Sequence, residues 1–304
     1  MRICSLLPGA TEIAFALGLG DDVVGVTHEC DYPAEARQKP VVVRSLIDSN
    51  RMTSLEIDRW VSERLRSNKG LYVIDEKRLR EAAPDVILTQ GLCDVCAIDY
   101  NEVVTASETL ANKPKIVSLT PNRLTDVLDD VARVGEATGQ RDKAERVIRH
   151  LEQRISAVRD RAAQLSTRPR VACLEWFDPI YAAGHWVPEM VELAGGHDVL
   201  GRNGEPSAKI DWNKVVELAP DVIVLMPCGF DVPRTLGEAA VLKRLAGWHD
   251  LPGVKAGRVF AVNGHAFFSR PGPRLVDGLE LLGHIIHPEI FPMQESPDAL
   301  QRIA

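Results

Sequence analysis

No run of apolar residues in this 304-residue chain approaches the roughly 18 that a membrane-spanning helix needs, so the protein is not expected to be integral to a membrane. Basic clusters are also missing. The 36 lysines and arginines are interspersed with 43 aspartates and glutamates, giving a net charge of −7, which argues against a nucleic-acid partner. Cysteine is scarce, with six in the whole chain, too few for a disulfide scaffold at this length. Only one C-x-x-C occurs, Cys93 to Cys96, and a four-ligand structural zinc site would want a second such pair. The chain has no G-x-S-x-G, P-loop, H-E-x-x-H or complete dinucleotide fingerprint, and no nucleophile–base pair stands out, so no enzymatic activity is expected. The opening MRICSLLPGATE is not a secretory signal, because Pro8 and Glu12 interrupt any apolar region. The expected location is therefore cytoplasmic, or periplasmic or extracellular once an export signal has been removed.

The chain does contain an internal repeat. EAAPDVILTQGLCD at 81–94 matches ELAPDVIVLMPCGFD at 217–231, and RICSL at 2–6 and LGLGDDVVG at 17–25 match RVACL at 170–174 and LAGGHDVLG at 193–201. In each copy a helix ends before proline and an unbroken β-branched run follows, the pattern of a parallel strand covered on both faces. PKIVSLTP at 114–121 and GRVFAVNGH at 257–265 supply a later strand in each half. Strands alternating with helices predict an α/β fold of two doubly wound, Rossmann-like lobes. The PGATE stretch at 8–12 places Thr11 as a cap at the start of the first helix.

Between the halves, residues 122–138 read as an amphipathic helix and Gly139 as a break. Residues 141–165 then run without glycine or proline. Their apolar positions (Ala144, Val147, Ile148, Leu151, Ile155, Val158, Ala162, Leu165) fall on one stripe, a stiff backbone helix of about 37 Å along both lobes. The expected organisation is an N-terminal lobe over 1–121, linking helices over 122–166, a C-terminal lobe over 167–289 and a surface tail over 290–304. The stretch 49–75 has no counterpart in the second half and looks helical at its centre, without an evident role.

In open α/β sheets, ligands bind beyond the carboxyl ends of the strands, so two such lobes facing each other form a cleft there. The residues just past those ends are His28, Cys30 and Tyr32, then Gln90, Cys93 and Cys96, in the first half. In the second they are Trp176, Phe177, His185 and Trp186, then Cys228 and Phe230, then His265 and Phe267. Aromatic faces with a few polar tips suit a large, flat, partly apolar ligand. Imidazole and thiolate suit a metal such as cobalt or iron at its centre. The Cys93–Cys96 pair reads first as a reduced structural pair, with a ligand or metal contact, or a disulfide formed after export, as the alternatives.

Several stretches carry a resemblance: SLLPGATEIAFALGLGDDVVGVTHECDYP, LREAAPDVILTQ, the long linking helix, VVELAPDVIVL and SRPGPRLVDGLELLGHIIHPEIFP. Over about residues 2–292 the chain resembles the helical-backbone class of ABC-transporter substrate-binding proteins. That class takes up vitamin B12, haem and ferric siderophores, and the segments here are most similar to its vitamin B12 binders. The resemblance implies a monomer that holds its ligand between two lobes with little hinge closure and passes it to an ABC permease. It also implies one acidic residue on each lobe that docks on the permease, for which Glu102 and Glu238 are the candidates. No catalytic cofactor is implied; the bound group would be the cargo, cobalamin or another metal-centred ligand. An alternative on the same frame is a cytosolic chaperone or enzyme that handles metals or tetrapyrroles.

Overall fold

The structure, a computed structural model, describes residues 1–91, 95 and 97–303. The first lobe runs β1 (Ile3–Ser5), α1 (Pro8–Ala16), β2 (Val23–Thr27), β3 (Val41–Ser45), α2 (Ser54–Arg66), β4 (Tyr72–Ile74), α3 (Glu76–Ala82), β5 (Val86–Gln90), α4 (Tyr100–Glu108) and β6 (Lys115–Leu119). Two linking helices follow, α5 (Leu124–Ala137) and α6 (Arg141–Ala162). The second lobe begins β7 (Arg170–Phe177), β8 (Ile180–Ala182), α7 (Val187–Leu193), β9 (His197–Asp198), β10 (Ala208–Lys209), α8 (Trp212–Leu218) and β11 (Val222–Leu225). It ends α9 (Val232–Glu238), α10 (Pro252–Lys255), β12 (Val259–Val262), α11 (Gly264–Phe267), α12 (Leu275–Ile286) and β13 (Leu300–Arg302).

The repeat in the sequence is a repeat in space. The first sheet has the order β4-β3-β2-β1-β5-β6, and its centre, β2-β1-β5-β6, is wholly parallel. The second sheet places β9, β7, β11 and β12 in the same arrangement, again all parallel. The correspondence extends to single backbone angles: α3 and α8 both end on a left-handed alanine, Ala83 at φ 38° and Ala219 at φ 45°, just before the matched proline. Both faces of each sheet are covered. On β5, Val86 and Leu88 pack under α1 and α5, whereas Ile87 packs on the opposite side with Leu79 of α3 and Val103 of α4. In the second lobe, Val222 and Val224 of β11 face α12, and Ile223 and Leu225 face Trp248 and Leu251.

The edges differ between lobes, and here the sequence reading needs correction. Strands β3 and β4 extend the first sheet; in the second, β8 folds antiparallel onto β7 and β10 pairs antiparallel with β8. The segment expected to be a surface tail returns to the second lobe. Strand β13 pairs antiparallel with β12, and Leu300 is buried in the core. The prolines at 292 and 297 mark the turn back rather than a loose end. Thr11 does not cap α1, because Pro8 takes the first helical position and Thr11 lies a turn inside; its hydroxyl lies 3.2 Å from the Leu7 carbonyl and 2.8 Å from Ser5 Oγ.

Helix α6 serves as the strut. Its 22 residues span about 33 Å. Val147 packs on the cores of both lobes, Ala144 belongs to the first, and Leu151, Val158 and Ala162 belong to the second. Arg154 fixes the helix to the second lobe by donating to Asp277 Oδ1 at 2.6 Å and to Glu280 Oε1 and Oε2 at 2.9 and 2.6 Å. Helix α5 spans the lobes in the same way, with Leu124 and Val127 in the second core and Val131 and Val134 in the first. The Leu124 amide donates to Glu189 of α7 at 2.8 Å, which closes the base of the cleft.

Candidate functional site: the facing strand ends

The carboxyl ends of the central strands in the two lobes meet across the cleft at three places. At the first, the N-terminus of α1 lies flat against the loop after α11. A side chain at Gly9 would run into the Pro271 carbonyl, so only glycine permits this approach. Beside it, Arg274 donates to Glu12 Oε1 at 2.6 Å, and its guanidinium lies 3.9 Å from the centre of the Tyr32 ring.

The second contact is a cross-lobe ionic cluster. Arg270, only 4% exposed, pairs with the Asp31 carboxylate and donates to the Glu29 carbonyl at 2.8 Å. His265 touches Arg270, lies 3.1 Å from Asp31 Oδ2 and lies 3.6 Å from Glu29 Oε2. Burial by itself would raise the Asp31 carboxyl, but the hydrogen bond to His265 and the Arg270 charge outweigh it and hold the group far below the usual carboxylate range. His28 sits alongside, 3.4 Å from Glu29 Oε1, with its ring 6.2 Å from that of Tyr72. Burial lowers its pKa despite the opposing charge of Glu29, which favours the neutral imidazole.

At the third contact an aromatic pair at the end of β7 meets helix α2 of the opposite lobe. The rings of Trp176 and Phe230 pack 5.2 Å apart, and Trp176 Nε1 donates to the Ser54 carbonyl at 3.2 Å. Tyr181 donates to Asp58 at 3.4 Å, and Ser54 donates to Glu238 from its hydroxyl at 2.7 Å.

The sequence-derived candidates therefore divide. His28, Tyr32, Trp176 and His265 lie on the facing surfaces. Gln90 ends β5 and lines a cavity of about 270 Å³ with Ile98, Asp99, Tyr100 and Ser118, below the range of about 300–1,000 Å³ that a drug-sized ligand occupies. Cys93 and Cys96 fall outside the described residues. His185 stands in a left-handed conformation, φ 51°, stacked on Trp186 at 5.5 Å; burial lowers its pKa, and its Nδ1 has no hydrogen-bond partner among the described residues.

Four candidates point into or pack against the cores instead. The turn after β2 folds Cys30 back beneath the strand, where its thiol receives hydrogen bonds from Thr11 Oγ1 (3.0 Å) and the Thr27 amide (3.4 Å), and burial raises its pKa. Phe177 is part of the second-lobe core, as is Trp186, whose Nε1 donates to the Phe268 carbonyl at 2.9 Å. Phe267 packs against that same core. Of the docking candidates, Glu102 is exposed near the start of α4, whereas Glu238 turns inward to Ser54. The residues that join the lobes most directly, Glu12, Asp31, Arg234, Arg270 and Arg274, were not among the candidates. All but Arg234 lie in the two terminal stretches that carry the family resemblance, but no local spacing pairs them.

A two-lobed α/β protein with a backbone helix and facing strand ends is a binding protein in architecture. The family model for periplasmic binding proteins matches residues 3–265, and the chain belongs to that family. Among curated proteins it is similar to YvrC, an uncharacterised ABC-transporter substrate-binding lipoprotein of Bacillus subtilis (25% identity, covering 95% of this chain and 81% of the relative). It is also similar to the vitamin B12-binding protein of Vibrio cholerae, at 22% identity over 92% of this chain and 86% of that protein. The crystal structure of a periplasmic haem-binding protein from Pseudomonas aeruginosa superimposes with a TM-score of 0.74 at 17% identity, over 100% of this chain and 98% of that one; it shares the fold. No helix among the described residues is long and apolar enough to cross a membrane.

Proposed function

We propose that the protein captures a large metal-centred ligand between its lobes, a corrinoid in preference to haem or a ferric siderophore, and hands it to an ABC permease without chemical change. The observation that carries the reading is the convergence of the Trp176–Phe230 pair and His265 on one side of the cleft with His28 and Tyr32 on the other. A flat macrocycle stacks on aromatic faces. A neutral imidazole such as that of His28 has a free electron pair for cobalt or iron. Vitamin B12-binding and haem-binding proteins among the relatives and structural neighbours support the same class of ligand. The rigid strut favours affinity from a pre-organised surface over large domain closure. Glu102, exposed near the start of α4, is the docking contact on the first lobe; the Glu238 carboxylate is engaged within the protein.

The test is an absorbance titration of the purified protein with cyanocobalamin, haemin and a ferric siderophore. One equivalent of cyanocobalamin should bind with a shifted corrin spectrum and be recovered unchanged. Binding of none of the three, or turnover of a bound tetrapyrrole, would contradict the proposal.

A further inference from the structure

Helix α2 belongs to the first lobe by sequence but is fastened to the second by its polar contacts. Only Ser54 and Ile57 of its 13 residues are buried. Its N-terminal turn is fixed locally by a capping box, in which the Thr53 hydroxyl accepts from the Glu56 amide and the Thr53 amide donates to the Glu56 carboxylate. The other polar contacts of its N-terminal end reach across the cleft, while further along the helix Arg64 donates to the Gly70 carbonyl of its own lobe at 2.7 Å. Glu238 of α9 accepts from the Ser54 hydroxyl at 2.7 Å and from the Ser54 amide at 3.4 Å, so a carboxylate from the opposite lobe sits at the positive end of α2. Arg234 donates to the Ser49 and Met52 carbonyls at 2.7 and 3.1 Å and to Asn50 Oδ1 at 3.3 Å. Trp176 and Tyr181 donate to the Ser54 carbonyl and to Asp58.

These contacts fall on the surface expected to receive the ligand. The Trp176 indole N–H is taken by the strap, and the Phe230 face is covered by the Arg234 guanidinium, 3.8 Å from the ring centre. We propose that residues 49–66 form a strap across one mouth of the cleft, that Glu238 and Arg234 latch it, and that a ligand reaches Trp176 and Phe230 only when the latch opens. The gating half of this inference rests on the ligand-capture reading above; the docking half does not. Because the latch is made of charge-assisted hydrogen bonds and α2 has little apolar contact of its own, removing the two charged groups frees the helix without exposing a core.

Hydrogen–deuterium exchange at amides 53–60, with acrylamide quenching of Trp176 taken as the difference from Trp176→Phe, tests the docking directly. In the double variant Glu238→Ala with Arg234→Ala, exchange should rise at least tenfold and Trp176 should become more accessible; Glu238→Gln, which keeps one acceptor, should be intermediate. Unchanged exchange in the double variant would overturn the strap. Stopped-flow binding of cyanocobalamin tests the gate: the double variant should associate several-fold faster, and equal or slower association would overturn gating. If cyanocobalamin does not bind the wild type, the ligand reading fails, and the exchange result alone decides whether α2 is latched.

Discussion

Arg274 and Glu12 form an ion pair between the lobes at 2.6 Å, with side chains only 13% and 2% exposed. The pair is imperfectly satisfied, since Glu12 Oε2 and Arg274 Nε have no hydrogen-bond partner among the described residues. Burial raises the Glu12 pKa, and the hydrogen bond and charge of Arg274 oppose that rise. The two groups thus depend on each other, and the lobes depend on them at the point where Gly9 meets Pro271.

Arg274→Met should therefore destabilise the protein strongly. Stranding one half of a buried pair costs about 3–5 kcal/mol. Loss of the Arg274–Tyr32 stacking adds about 0.5–1 kcal/mol. Adding Glu12→Met to Arg274→Met should recover much of the loss, because no charge is then left unpaired. Urea unfolding of the two single variants and the double variant measures this coupling; purely additive costs would show that the pair is not the unit.

Asp130 of α5 predicts the pH dependence of stability. It is 1% exposed, its Oδ2 has no partner among the described residues, and its Oδ1 accepts from Arg133 at 3.2 Å. Burial, the largest influence, pushes its pKa from 3.8 up to about 7 against the opposing charge of Arg133, with Asp126 and Asp129 also raising it. A carboxyl raised by folding favours the folded state at low pH, and that contribution is lost as pH climbs from about 4 to about 7. Asp130→Asn should remove this slope and stabilise the protein at pH 8 by on the order of 2 kcal/mol. Thermal melts of both proteins between pH 4 and 8 check it; parallel curves would mean that Asp130 does not titrate in that range.

The thiols make a third prediction. Cys4, Cys30 and Cys173 are buried and burial raises the pKa of each, Cys4 to about 12, while Cys228 is partly exposed. Among these four, iodoacetamide at pH 8 should modify Cys228 alone in the folded protein, as read by peptide mass spectrometry. Cys30→Ala should lower the melting temperature and change ligand affinity by less than about twofold, since it removes a core contact; a large loss of affinity would put Cys30 back in the cleft.

How far the sequence could be read follows from what each feature depends on. The central strands were legible because a parallel strand covered on both faces leaves an unbroken β-branched run, and because that run occurs twice after a matched proline. The strut was legible because its apolar stripe has helical spacing. Strand β13 was hidden behind a proline-rich approach, and the edge strands β9 and β10 are two residues each, too short to show a period. A strand end gives no hint of which way the next turn throws a side chain, so Cys30 and Tyr32, two positions apart, were read alike although one is in the core and the other on the surface. Polar pairs such as Asp31–Arg270, separated by 239 residues, have no local signature at all. For the same reason the stretch 49–75 showed a helix but not its attachment to the opposite lobe.

A ligand held between the facing strand ends must touch both lobes at once. Hydrogen–deuterium exchange with and without saturating cyanocobalamin addresses this most directly. Protection should appear together in 27–32 of the first lobe and in 176–186 and 263–270 of the second, with the outer faces of α3 and α8 unchanged. Protection confined to one lobe, or placed away from these segments, would contradict it.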